Sequence, residues 1–346
     1  MCIRDRADLV IAPFMPSNTA RSGGTIFPIV KNIPPMYGST PEHNPDKIGS
    51  YLMFVGIAAT CITSSMFLTA LAPNLLAVSL VKDIVNIDIS WTDWFLIASI
   101  PMAILLIIMP IIAYILNPPE VKKSDDIVIW ATQMLREIGA FSNKEKLMSL
   151  SVFLALLMWI FGGAIGINAT TAALAVVCLI LILNIIDVDD FFGNKQAWNV
   201  LTWFATLIAL AKGLSITGFL DWISSSLEGY LEMIGSTTLI IVLMVIVFVV
   251  IHYFFASLTA HTVALLPLFL IVAKNIMGIN EVEVLAISLC LTLGIMGIIT
   301  PYAAGPTPIW YGANYIKASK FWCLGFVFGF IYLAVFIVFG VLPRIL

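Results

Sequence analysis

The chain has 346 residues, of which 61% are hydrophobic and 11% charged, with a formal net charge of −3. A soluble domain carries roughly 25% charged residues. This composition, with a mean hydropathy of +1.05, therefore excludes an ordinary water-soluble domain and predicts a helical membrane protein. Cys2, Cys61, Cys178, Cys290 and Cys323 are scattered, mostly in apolar runs, and read as small packing residues rather than a disulfide framework. His43, His252 and His261 lack ligand spacing, so no metal site is expected. With no nucleophile–base pair either, an enzyme is not expected, and neither is a nucleic-acid partner.

Residues 1–6 are a charged hexapeptide without the apolar region of a signal peptide and read as the scar of an N-terminal truncation. Residues 8–30 are apolar but broken by Pro13, Pro16 and the Gly23–Gly24 pair around Ser17, Asn18 and Thr19. That pattern predicts a re-entrant hairpin, which a membrane tolerates only where protein or water covers the free backbone groups. A Pro-rich polar loop follows at 31–47. Residues 48–80 predict a helix, an unwound middle containing Thr63, Ser64 and Ser65 and then Thr69 to Asn74, and a second half-helix. Residues 93–116 form a span closed by Asn117, Pro118 and Pro119.

The hydrophilic stretch 118–146 predicts an interfacial helix with Ile127, Ile129, Trp130, Met134, Leu135 and Ile138 near one face. Spans are predicted at 147–167, 169–186 and 197–217. Residues 237–276 predict a second hairpin, with Ser257, Leu258, Thr259, Ala260, His261 and Thr262 at its tip. Residues 284–316 predict a second broken helix, interrupted from Thr300 and Pro301 to Pro308, and 321–342 a last span.

Both halves thus run hairpin, broken helix, final span. The expected fold is an all-α polytopic membrane protein: an inverted-repeat transporter with two re-entrant hairpins and two broken helices. Residues 1–117 would be the C-terminal part of the first repeat, 118–146 a cytoplasmic interfacial linker, and 147–346 the second repeat. If the 31–47 loop is cytoplasmic, that side holds Lys31, Lys47, Lys122, Lys123, Arg136, Lys144, Lys146, Lys195, Lys317 and Lys320, against Lys82, Lys274 and Arg344 opposite. This bias obeys the positive-inside rule.

Polar residues at bilayer depth mark a substrate or ion pathway. Half-helix N-termini offer free N–H groups to an anion, and Ser17, Asn18 and Thr19 add hydroxyl and amide groups. The competing role for such residues is capping or helix–helix hydrogen bonding. Arg21 is either a substrate contact or counter-charge in exchange, or else half of a structural pair or a side chain snorkelled toward the cytoplasmic face. His261 is either a proton-sensing group or a satisfied structural donor. Ser22 is expected to matter less for transport than Asn18.

Ser17-Asn18-Thr19-Ala20-Arg21 with Gly23-Gly24, Ser64-Ser65-Met66 with Ala72-Pro73-Asn74, Ser257 to Thr262, and Thr300-Pro301 through Gly305-Pro306 together resemble the divalent anion:sodium symporter family. The closest resemblance is to its branch of citrate/succinate antiporters and oxoglutarate/malate translocators. The resemblance covers nearly all of residues 8–346. It implies two opposed hairpins, a homodimer in a cell inner membrane, and transport of di- or tricarboxylates by an elevator-type motion.

By position, the resemblance assigns substrate contacts to Ser17, Asn18 and Thr19 and to Ser257 and Thr259, and matches Ser64, Ser65, Thr300 and Pro301 to unwound stretches that complete cation sites. Arg21, Thr300 and Pro301 are further candidate substrate contacts, and Ser64, Ser65, Asn74 and His261 candidate cation-site or tip-supporting residues. Leu258 departs from the pattern, because sodium-coupled members carry Asn there. A lost oxygen ligand argues against sodium as a cofactor and favours exchange of succinate, malate, oxoglutarate or citrate. An uncompensated Arg21 in an empty carrier would favour exchange further. The alternatives are a sodium-coupled dicarboxylate or sulfate symporter and, from another class, an anion channel.

Overall fold

The computed structural model describes residues 3–121, 126–167 and 169–345, and all regular structure among them is helical. α1 (Ile3–Ile11) runs into a 3-10 turn (Ala12–Phe14), where Pro13 removes a backbone donor. The chain turns at 15–18. A π-helical stretch (Thr19–Ile26) then leads to α2 (Phe27–Val30) and α3 (Ile33–Met36). α4 (Gly49–Met66) breaks at Phe67, continues as a 3-10 turn (Leu68–Ala70) and resumes as α5 (Ala72–Val85), with Pro73 in its first turn.

α6 (Trp91–Leu116), α7 (Asp126–Ile138), α8 (Asn143–Phe161), α9 (Ala169–Ile182), α10 (Val188–Gly193), α11 (Lys195–Ile216) and α12 (Phe219–Glu232) follow. α13 (Thr237–Ile251) ends in a 3-10 turn (His252–Phe254), and α14 (Leu258–Ile276) doubles back, so that Phe248 packs on both His261 and Phe269. α15 (Ile279–Ile295) breaks through a 3-10 turn (Met296–Ile298) and an irregular segment before α16 (Thr307–Tyr311). α17 (Ala318–Phe336), a π-helical turn (Ile337–Val341) and α18 (Leu342–Ile345) complete the chain.

Two compact units result. One comprises Met1–Ile89, Asp93–Glu120 and Thr206–Leu346; the other comprises Ser90–Thr92 and Val121–Ala205. Within the smaller unit, Ser142 and Glu145 cap α8 reciprocally, and Trp159 Nε1 donates to Ala169 O at 3.1 Å. On α7, Trp130 and Met134 are half-buried while Leu135 and Ile138 are exposed. The side chains of Ile127 and Ile129, and residues Lys122 and Lys123, lie outside the described part.

Among the described residues, six helices are long and apolar enough to cross a membrane: α4, α6, α13 with its 3-10 turn, α14, α15 with its turn, and α17 continued to Ile345. By length alone, both arms of the second turn suffice for spans. α4 and α15 form the centre of the larger unit, 83% and 89% buried over their apolar windows, against 33–56% for the other four. They meet where both break. The Ile295 N–H donates to Ser65 Oγ at 2.9 Å, and a Cβ on Gly294 would fall 2.7 Å from Cys61 O and closer still to the Ser65 backbone nitrogen.

A helix that breaks in an apolar surrounding must find donors for its orphan carbonyls. For α4 these are side chains. Asn74 Nδ2 donates to Ser64 O (2.8 Å) and Phe67 O (3.2 Å), Trp94 Nε1 to Ser65 O (2.9 Å) and Arg21 to Ala70 O (2.8 Å). For α15, Thr307 Oγ1 donates to Gly297 O at 3.2 Å. Gly325 of α17 lets that break lie close, since a Cβ there would stand 2.8 Å from Ile299 O. Of the cysteines expected as packing residues, Cys61 and Cys290 are buried, but Cys178 and Cys323 are exposed.

Polar contacts gather the loops at two ends of this unit. At one, Lys320 Nζ pairs with Asp46 at 2.7 Å and the Glu120 N–H donates to Lys47 O at 2.9 Å. At the other, Lys82 pairs with Asp88 at 2.7 Å and Lys274 Nζ reaches Ile84 O at 3.5 Å.

Candidate functional site

The two turns are built alike. The 3-10 segments Ala12–Phe14 and His252–Phe254 each lie just before a residue in extended conformation, Met15 (φ −120°, ψ 97°) and Phe255 (φ −115°, ψ 130°). Two residues later a serine caps the returning helix. Ser17 Oγ accepts the Ala20 N–H at 3.2 Å, and Ser257 Oγ accepts the Ala260 N–H at 3.3 Å. The Arg21 N–H then donates to Ser17 O (2.9 Å) and the His261 N–H to Ser257 O (3.1 Å). In both tips the serine and threonine are half-buried and the residue between them is buried, Asn18 at 7% and Leu258 at 5% exposure.

Behind the tips the chemistry diverges. Arg21 is fully buried. Its Nε donates to Asp8 Oδ1 (3.0 Å), one terminal nitrogen to Met15 O (3.1 Å) and Ala70 O (2.8 Å), and the other to Thr63 Oγ1 (3.3 Å) and Ser64 Oγ (3.0 Å). A guanidinium has five N–H groups, so none is left for a carboxylate ligand. The expected contact between Arg21 and substrate is therefore not available in this conformation; the arginine is tied into a buried pair, with Thr63 Oγ1 donating to the other oxygen of Asp8. The charge argument for exchange is corrected with it, since Asp8 already neutralises Arg21. Sequence reasoning passed over Asp8, although a carboxylate inside an apolar helix is itself a signal.

The equivalent pair in the second tip is Phe248 and His261, whose rings meet edge-on at 4.4 Å. His252 and Phe255 enclose the imidazole further, and neither of its ring nitrogens has a hydrogen-bond partner among the described residues. His252 Nε2 lies 2.9 Å from Ala303 O, a contact that requires the proton on that nitrogen.

The first tip and the 3-10 turn that leads into the second both reach the irregular segment after α15. His252 holds Ala303, and Thr19 lies so close to Gly305 that a Cβ there would collide with Thr19 Oγ1. Ser22 is no bland neighbour. Its buried hydroxyl joins Thr60 Oγ1 (2.7 Å) and Trp310 Nε1 (2.8 Å), tying the first tip to α4 and α16. The remaining expected residues are placed as follows. Ser64 and Ser65 are engaged by Arg21 and Ile295. Asn74 caps α4 through its amide nitrogen while its oxygen has no partner. Thr300 is fully buried, accepting weakly from the Tyr302 N–H at 3.4 Å, and Pro301 is half-buried.

Two doubled-back tips meeting an unwound helix inside an apolar helical unit define a membrane transport protein, and the chain belongs to the sodium:sulfate symporter transmembrane family, matching it over residues 6–345. Proteins called L-tartrate/succinate antiporter are similar to it. Those of Shigella sonnei (strain Ss046), Shigella flexneri and Escherichia coli (strain K12) are each 43% identical over 338 residues, covering 97% of this chain and 69% of the relative.

Proposed function

We propose that the chain is a secondary carrier that exchanges small dicarboxylates across a bacterial inner membrane. Succinate and tartrate come first to mind because the relatives are named for them. The observation that carries the reading is that two tips capped alike both reach residues 303–305, the first through Thr19 and the second through His252 of the turn leading into it. In this reading the half-buried Ser17, Thr19, Ser257 and Thr259 offer hydroxyls to the two carboxylates of one anion. Asn18, Thr300 and Pro301 shape the walls. Arg21, Ser64, Ser65 and Asn74 hold the tips in place.

The two turns are re-entrant hairpins of two inverted repeats, which move together as an elevator within a homodimer. Contacts that gather the 31–47, 120 and 320 segments at one end, and 82–88 with 274 at the other, support that threading. Leu258, buried where an oxygen ligand would stand, supports exchange without sodium. The test is labelled succinate uptake into vesicles with and without internal succinate, in sodium and in potassium. Uptake that needs internal succinate and ignores sodium is expected. Uptake into empty vesicles only with sodium would replace the exchanger by a symporter.

A further inference from the structure

We propose that Asp8 sets the electrical charge of the first tip and thereby limits how tightly the site holds a dianion. The proposal rests on the transport reading above, and its measurement is separable from it. Asp8 is 2% exposed, and both its oxygens are engaged, one by Arg21 Nε and the other by Thr63 Oγ1. Burying a carboxylate with its counter-ion carries a desolvation cost that their pairing offsets only in part.

The second tip shows that the position does not require a carboxylate. Counting back nine residues from each capping serine reaches Asp8 in one tip and Phe248 in the other. Each touches the residue four after its serine, Arg21 or His261. The helical geometry thus accepts an aromatic ring at this place. What Asp8 adds is a negative charge that cancels Arg21. Without it, a full positive charge would sit close behind the tip, where Arg21 donates to Met15 O, two residues before Ser17. Such a site would bind a dianion tightly and release it slowly. With it, the tip attracts the anion only through hydroxyls and backbone dipoles, and turnover is favoured over affinity.

A charge role and a packing role predict different signs. Equilibrium binding of labelled succinate to the purified protein reads them. Asp8→Asn should bind about tenfold or more tightly and Arg21→Gln correspondingly more weakly, as expected for one unit charge at this range in an effective dielectric near 20. The neutral pair Asp8→Asn with Arg21→Gln should bind about tenfold or more tightly than Arg21→Gln alone, because the uncancelled negative charge is gone.

If Asp8→Asn alone is not recovered folded, Arg21→Gln against the double variant carries the same test, because weak binding must be rescued by removing the second charge. Weakened binding in both single variants, or no rescue in the pair, overturns the proposal. Vesicle exchange by the parent protein is scored separately. Its failure would remove the exchanger reading and leave the charge assignment to be decided by the binding data.

Discussion

The two tips share a backbone and differ in what stands behind it. Each has a 3-10 turn, an extended residue, a serine cap and a buried central residue. Behind the first is a saturated ionic knot of Asp8, Arg21, Thr63 and Ser64; behind the second is an aromatic cage around an imidazole with no hydrogen-bond partner. The difference teaches that the shape of the tip comes from local capping, whereas its charge and rigidity come from the residues one turn deeper. The first tip is also held sideways by Ser22 on Thr60 and Trp310, and the second by His252 on Ala303.

The largest expected effect breaks the ionic knot. Arg21→Met leaves Asp8 buried without a counter-ion and should cost about 3–5 kcal/mol, read as thermal unfolding in detergent. A loss under about 1 kcal/mol would mean that the pair is solvated. Gly294→Ala drives a methyl into the Ser65 backbone, which cannot rotate away, and should cost about 1–3 kcal/mol or more. Gly24→Ala, whose nearest neighbour is 4.0 Å away, should be tolerated.

Ser22→Ala removes the buried acceptor shared by the Trp310 N–H and the Thr60 hydroxyl and should cost about 1–3 kcal/mol. Thr25→Ala, on an exposed residue of the same stretch, should be silent. The contrast with the second tip is sharpened by His261→Phe. Since both ring nitrogens are buried without partners, the substitution should leave stability unchanged or raise it by about 1 kcal/mol. A clear fall would reveal a polar partner for the ring.

The smallest effect involves Asp46, in the loop before the candidate span of α4. The Lys320 hydrogen bond holds the Asp46 carboxyl below the usual aspartate range. A lowered carboxylate stabilises the fold above its unfolded pKa, and the gain is lost as pH falls through the folded value. Because the pair is partly exposed, it contributes under about 1 kcal/mol. Asp46→Asn should therefore be slightly destabilised near neutral pH and match the parent at low pH; a constant difference would exclude the ionic contribution.

Much of the architecture was legible because prolines, glycines and hydroxyls interrupt apolar runs. Both turns and both broken helices fall where Pro13, Ser17, Pro73, Ser257 and Pro301 put them. What stayed hidden depends on contacts far apart in sequence. Ser22 meets Trp310 across 288 residues and Ser65 meets Ile295 across 230. Arg21 could be recognised as a buried charge, but its five partners come from four separate segments, so its pairing was not readable from the chain. Asp8 was readable as an anomaly, yet it stands next to the charged residues 4–6 and was absorbed into them.

The central claim is that both tips serve one anion site. Single cysteines introduced as Ser17→Cys and, separately, Ser257→Cys, in a background with Cys2 and the exposed Cys178 and Cys323 replaced, can be labelled with a polar maleimide under rising succinate. The account predicts that succinate protects both positions with the same half-maximal concentration. Protection of one tip at a concentration that leaves the other fully reactive would contradict it.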